Sequence, residues 1–308
     1  MKKSLYILSV TLVLLQVTSC KKSFLELKPL DQYDSVAVWN SDDPSLIQSF
    51  INNIYHGLPD GFVGDRIATS SYVDETMLVF NRNTGSINLS LISPSALYDF
   101  DNNEGTTDNY VWENAFKNIR ACNLFFDNIE KSPAATAAQK TLLKGEVHFL
   151  RAYLYHMLVS VYGGVPIITK SYGLNQDYAV PRNTYAECIA FINSECDLAA
   201  AALPVKATQK GRATKGAALA LKSRVLLVAA SDLHNSNASW APSYSNPELV
   251  GYVGGDRAAR WKAAKDAAKA VMDLGVYGLY KPDPLPTEDI AKNYADIFLL
   301  NETSEDIF

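Results

Sequence analysis

The chain contains no apolar run of the roughly 20 residues needed to cross about 30 Å of hydrocarbon, so no segment reads as a membrane-spanning helix. It also lacks an excess of positive charge: 28 Lys and Arg stand against 33 Asp and Glu, a net of -5. That balance disfavours a nucleic-acid partner, whose binding needs a basic face to displace counterions from phosphate. Cysteine is scarce, at 4 residues, with no CxxC pair. Cys188 and Cys196 fall on one expected helix about 12 Å apart, too far for a disulfide, and buried free thiols are expected there and at Cys122. The 4 histidines, His56, His148, His156 and His234, form no HExxH zinc motif and read as core or surface residues. GxSxG elbows and P-loops are absent too. Gly163 and Gly164 follow a helix rather than a strand and serve as a helix stop, not a phosphate cradle.

What is present is an ordinary globular composition, 48% hydrophobic, 11% aromatic and 20% charged, with enough length to bury a substantial core. The first residues, MKKSLYILSVTLVLLQVTSC, combine a basic start, a short apolar segment and small residues before Cys20, the pattern of a secretory signal. Val17, Thr18, Ser19 and Cys20 fit a bacterial lipobox, in which the Cys thiol is acylated before cleavage. Each buried acyl methylene contributes about 0.8 kcal/mol, so several chains hold an otherwise soluble protein on a membrane. The expected division is a signal over 1–19, lipidated Cys20 and a tether over 20–42, and a helical domain over 43–308.

The domain opens with a helix near Asp43 to Tyr55, with Pro44 in its first turn and Gly57 beyond its end. Pro59 to Thr107 is rich in Gly, Asn, Ser and Asp without helical period, and reads as a long irregular region of the kind that often carries function. From Asp108 helices recur. Val111, Ala115, Ile119, Cys122 and Phe126 make one stripe, and Trp112 and Trp261 open apolar stripes and are expected in the core. Thr136 with Gln139, and Thr184 with Glu187, form capping boxes before the next two helices. Further helices follow through KGAALALKSRVLLVAAS and RWKAAKDAAKAVMDLG. Ala-rich apolar faces suggest closely packed antiparallel pairs. Glu146 and Arg151, on a strongly apolar helix, read as a charge pair that orders packing.

Five segments in order carry a resemblance: VWENAFKNIRACNLFFDNI; GEVHFLRAYLYHMLVSVYGGVPII; FINSECDLAAAALP; KGRATKGAALALKSRVLLVAAS; and RWKAAKDAAKAVMDLGVYGLY with NETSEDIF. With the lipobox and FLELKP, the chain resembles the SusD/RagB family of outer-membrane nutrient-binding lipoproteins. The resemblance implies a mainly α fold, a tetratricopeptide-like helix-pair scaffold with long irregular ligand-binding loops. It implies an oligosaccharide or other nutrient as ligand, a SusC-like TonB-dependent transporter as partner, an outward-facing lipid anchor in the outer membrane, no cofactor and no catalysis. Family members are usually longer, and the SEDIF segment before Phe308 would lead into a second half, so a C-terminally truncated chain with exposed apolar surface on its last helices is expected. Lys21 and Lys22 stand where surface-exported lipoproteins tend to be acidic.

Sugars are held by flat aromatic faces against pyranose C–H groups and by amides, carboxylates or Arg at the hydroxyls. Two irregular segments carry those residues. One supplies Tyr72, Asp74, Phe80, Asn81, Arg82, Tyr98, Asn102 and Asn103. The other supplies Asn235, Trp240, Tyr244 and Tyr252. Asp74 and Glu75 are the acidic pair nearest to a glycosidase arrangement, but neighbours on a loop point in different directions. A second class stays open: an anchored tetratricopeptide-like module that binds a protein rather than a glycan. Replacing Cys20→Ser is expected to move the protein from the membrane to the soluble fraction, read by cell fractionation and loss of labelled fatty acid.

Overall fold

A computed structural model of the chain describes residues 35–58, 107–173, 175–207, 209–235 and 244–308. The expected signal, Cys20 and the irregular region over 59–106 lie outside them. Among the described residues there are no strands. The helices are α1 (Ser35–Asn40), α2 (Pro44–His56), α3 (Thr107–Asn128), α4 (Ala137–Tyr162), α5 (Tyr185–Ala202), α6 (Lys215–Ala230), α7 (Arg257–Met272) and α8 (Ile290–Leu299). None is long and apolar enough to cross a membrane.

Local chemistry sets most boundaries. At α2 the Asp43 carboxylate accepts from Ser45 N at 2.9 Å, and Pro44 occupies the first turn. Thr136 with Gln139 and Thr184 with Glu187 form the two capping boxes, so each helix start satisfies backbone amides that have no intrahelical partner. Thr214, Asp256 and Asp289 cap α6, α7 and α8 in the same way.

From α3 to α7 consecutive helices run antiparallel, as the contacts at their ends show. Trp112 near the start of α3 meets Tyr162 at the end of α4, their rings 5.0 Å apart. Gly145, early in α4, lies against the end of α5, where an added Cβ would come within 2.9 Å of the Ala202 Cβ. Lys215 N donates to Pro204 O at 2.9 Å where α5 hands over to α6, and Lys222 pairs with Asp197 higher up. Asp232 just past α6 pairs with Arg257 at the start of α7. Small residues permit these approaches, and the fold is the tetratricopeptide-like stack of helix pairs.

The core joins α2 to α6. Ile47, Ile51 and Ile54 of α2 pack with Ile119 and Phe125 of α3, Leu150, Leu154 and Leu158 of α4, and Ile189 and Ile192 of α5. Each such side chain contributes roughly 1.5–3 kcal/mol on burial. On the α3 stripe Phe125 is fully buried whereas Phe126 is only partly so. Phe126 is instead a plate under the Arg151 guanidinium, 4.4 Å from its ring centre. Cys122, Cys188 and Cys196 are buried free thiols, and burial pushes the Cys122 thiol up to about 12.

Two expectations change. Part of the span read as tether, Ser35–Asn40, is helical, and Trp39 packs edge-on to Phe50 at 5.0 Å because its indole finds a pocket between α2 and α3. Glu146 and Arg151 do not pair with each other; five residues apart, they leave α4 on different faces. Glu146 accepts from Tyr55 Oη and Arg212 Nη1, each at 2.9 Å. Arg151 forks onto Glu195 of α5, Nε to Oε2 at 2.7 Å and Nη2 to Oε1 at 2.9 Å. Helix α8, which the sequence reading did not place, turns Ile290, Tyr294, Phe298 and Leu299 to solvent, in line with the exposed apolar surface expected on the last helices.

Burial would raise the Glu195 carboxyl, but the hydrogen bonds and charges of His148 and Arg151 outweigh it and hold the group below its ordinary value of 4.5. A depressed carboxyl adds stability that is complete above the unfolded value and disappears as pH falls through the folded one. Glu195→Ala is expected to cost about 3–5 kcal/mol in urea unfolding at neutral pH, because the Arg151 charge stays buried without its partner. The difference from wild type should shrink under acid, and Arg151→Met with Glu195→Leu should recover much of the loss.

Candidate functional site

The scaffold opens between α4 and α5. Gly163 stops α4 with φ 71° and ψ -134°, a backbone suited to glycine, and a Cβ there would collide with Leu249 O. Arg182 then donates to the freed carbonyls, Nε to Gly164 O at 2.6 Å and Nη2 to Tyr162 O at 2.7 Å. Past this stop, alternate residues Pro166, Ile168, Lys170 and Tyr172 line one wall of a cavity of about 370 Å³. Trp112, Phe116, Ile119 and Arg120 of α3 form another, and Tyr178, Ala179 and Val180 complete it. This is within the size range of small-molecule sites, about 300–1,000 Å³.

Buried polar groups fix the first wall. Asn123 Nδ2 donates to Ile168 O at 3.0 Å and Lys170 O at 3.2 Å, while Ile168 N donates to Tyr155 Oη at 2.7 Å. Asn123 Oδ1 in turn accepts from Arg151 Nη1 at 2.8 Å, so the α4–α5 ion pair reaches the cavity through one amide. The Tyr155 hydroxyl donates in turn to Pro166 O at 3.4 Å and Ile168 O at 3.3 Å, and burial raises its phenol well above the ordinary value. At the far end Ser171 Oγ donates to Asp127 Oδ2 at 2.5 Å. The wall is therefore anchored at several points.

Chemically the cavity is aromatic and cationic. Trp112 and Phe116 lie 4.7 Å apart, Tyr172 and Tyr178 meet edge-on at 6.5 Å, and Lys170 Nζ sits 5.0 Å from the Tyr172 ring centre. Such rings offer faces for the apolar sides of sugar rings. Among the described residues no group of His, Cys, Asp and Glu is arranged to hold a metal ion.

Trp112 was expected in the core but is 37% exposed. It lies level with Tyr162, the last residue of α4, so its stripe runs past the edge of the helix that would cover it. Trp261 is 41% exposed for a related reason: α7 packs mainly on α6 through Ala264 and Ala267, which leaves its remaining faces uncovered. Of the sequence candidates, Tyr72, Asp74, Phe80, Asn81, Arg82, Tyr98, Asn102, Asn103 and Trp240 lie outside the described residues. Tyr244 is exposed but does not line the cavity. Asn235 is a helix-end cap, donating to Ala229 O and Ser231 O at 2.7 Å each, and Tyr252 packs edge-on to Tyr185 beneath Arg260. Neither is a free ligand contact. The sequence reading missed Arg120, Lys170, Tyr172 and Tyr178, although KSYGLNQDY, with two tyrosines in a helix connection, carried a signal.

The described residues form a helix-pair stack of the tetratricopeptide-like class with an aromatic cavity at its edge. The SusD-like family model, described as starch-binding and associating with the outer membrane, matches residues 23–227, and the chain belongs to that family. A SusD-like protein from Bacteroides fragilis NCTC 9343 is 26% identical with a TM-score of 0.60, over 92% of this chain and 47% of that one. A SusD-like carbohydrate binding protein from the same organism shares the fold at 23% identity, TM-score 0.53, over 80% and 43% of the two chains. A SusD homolog from Bacteroides thetaiotaomicron does so at 19% identity, TM-score 0.52, over 81% and 44%. The chain thus spans about half the length of these structures. No curated protein matches it.

Asn123→Ala should destabilise the protein by about 1–3 kcal/mol, since it strands an Arg151 donor and two carbonyls. Faster hydrogen exchange at the Ile168 amide would accompany it. Lys170→Gln, on the same wall but exposed, should change neither measurement.

Proposed function

We propose that this chain is a lipid-anchored outer-membrane protein that captures an oligosaccharide and passes it intact to a SusC-like TonB-dependent transporter. The observation that carries the reading is the aromatic cavity on a SusD-like scaffold, bounded by Trp112, Phe116, Tyr172 and Tyr178. Family membership supports it, because the family is described as starch-binding and associated with the outer membrane. Capture relies on stacking and on hydrogen bonds exchanged against water, so affinity is modest and each contact contributes about 1 kcal/mol. Acylation at Cys20 would supply the tether and raise the local concentration of ligand beside the transporter. Bond cleavage forms no part of this reading.

Titration calorimetry of the full chain, carrying Cys20→Ser, against a panel of neutral and acidic oligosaccharides tests it. Binding to at least one member, weakened about tenfold or more by Trp112→Ala without loss of the folding transition, is the expected result. Absence of binding across the panel would overturn the glycan reading and favour a protein-interaction module. Co-purification of the acylated chain in mild detergent should recover a large β-barrel partner.

A further inference from the structure

The cavity carries more charge information than sugar stacking requires. Arg120 and Lys170 both line it, and among the described residues no carboxylate does. Among the described residues neither cation has an acidic partner; the Lys170 ammonium lies only over the Tyr172 ring. Of the three acids within seven residues of these cations, Glu113 stands two turns before Arg120 on α3 and does not line the cavity, and the other two are engaged elsewhere. Asp127 accepts from the Ser171 hydroxyl and amide, and Asp177 from Ala179 N at 2.9 Å. Some surface lysines of this acidic chain pair with acids, as Lys262 does with Asp266, and others such as Lys117 and Lys265 do not, so it is the place of these two cations beside aromatic faces in one cavity that sets them apart. Two cations without acidic partners, flanking aromatic faces, match a ring that bears a negative group.

We propose that the cavity takes an acidic sugar, with its ring against the aromatic walls and its carboxylate or sulfate between Arg120 and Lys170. The inference rests on the glycan-binding reading above and names the substrate class. Arg supplies a planar fork that can hold two oxygens of either anion, and Lys supplies a mobile point charge. A neutral α-glucan, the ligand class in the family's description, would leave both cations without a counterpart.

The test is titration of the full chain carrying Cys20→Ser with three probes: a neutral maltooligosaccharide, a galacturonate oligosaccharide, and a sulfated galactan oligosaccharide of similar length. At least one acidic probe is expected to bind at least tenfold more tightly than the neutral one. Arg120→Gln and Lys170→Gln should each weaken that binding about tenfold, the scale of one charged hydrogen bond. Raising salt from about 50 to 500 mM should weaken it too while leaving neutral binding unchanged. Both side chains are exposed, so a retained thermal transition in each variant separates lost recognition from lost folding. The galacturonate and sulfated arms distinguish carboxylate from sulfate. Equal or tighter binding of the maltooligosaccharide overturns the acidic-sugar inference and leaves the glycan reading standing, as does acidic binding insensitive to both Gln variants. Failure of all three probes overturns this inference; failure across the wider panel overturns the parent reading.

Discussion

The Arg151–Glu195 pair is the interaction on which the rest of the structure depends. It joins α4 to α5 in the core, with the guanidinium set over Phe126 on one side and near Phe191 on another. Two charges removed from water persist there because each Arg151 nitrogen donates, to Glu195 or Asn123, and the Glu195 carboxylate also meets His148 Nδ1 at 3.0 Å. One branch of that network leaves the core. Through Asn123 it holds the carbonyls of Ile168 and Lys170, and hence the wall of the cavity. Stability and site geometry are in this way set by one buried network.

A second constraint is the finite height of a helix stack. The pairs approach closely because small residues such as Gly145, Ala199, Ala202 and Ala218 occupy the crossings. Close packing along the middle of the stack leaves its edges with stripes that outrun their neighbours. Trp112 is the clearest case, since α4 ends beside it and the connection to α5 turns away at Gly163. A side chain that would be core one turn further along becomes a cavity wall. The cavity at this edge is a consequence of where a partner helix stops.

The helices themselves were legible because their signals are local. Capping boxes at Thr136 and Thr184, Pro44 in a first turn and Gly163 at a stop each act within a few residues. Helix α8 went unread although Ile290, Tyr294, Ile297 and Phe298 recur at helical spacing, because it is only 10 residues long and its capping acid, Asp289, closely follows Pro282, Pro284 and Pro286. The partners of Glu146 and Arg151 were also illegible. Periodicity says a charge lies on a buried helix, but not which distant residue answers it, and Arg212 and Glu195 are 66 and 44 positions away. Candidate site residues chosen for their types fell chiefly in segments outside the described residues, while the cavity drew on an overlooked connection.

The sequence by itself determined the helical class, the order and limits of the main helices, the Cys20 motif and the family resemblance, because each is written in residues close together along the chain. Tertiary structure decided which charges pair, that Trp112 lines a cavity rather than the core, and that Arg120 and Lys170 converge on the same space. Those outcomes depend on how far each helix extends beside its neighbour and on contacts between residues dozens of positions apart, which no local pattern encodes.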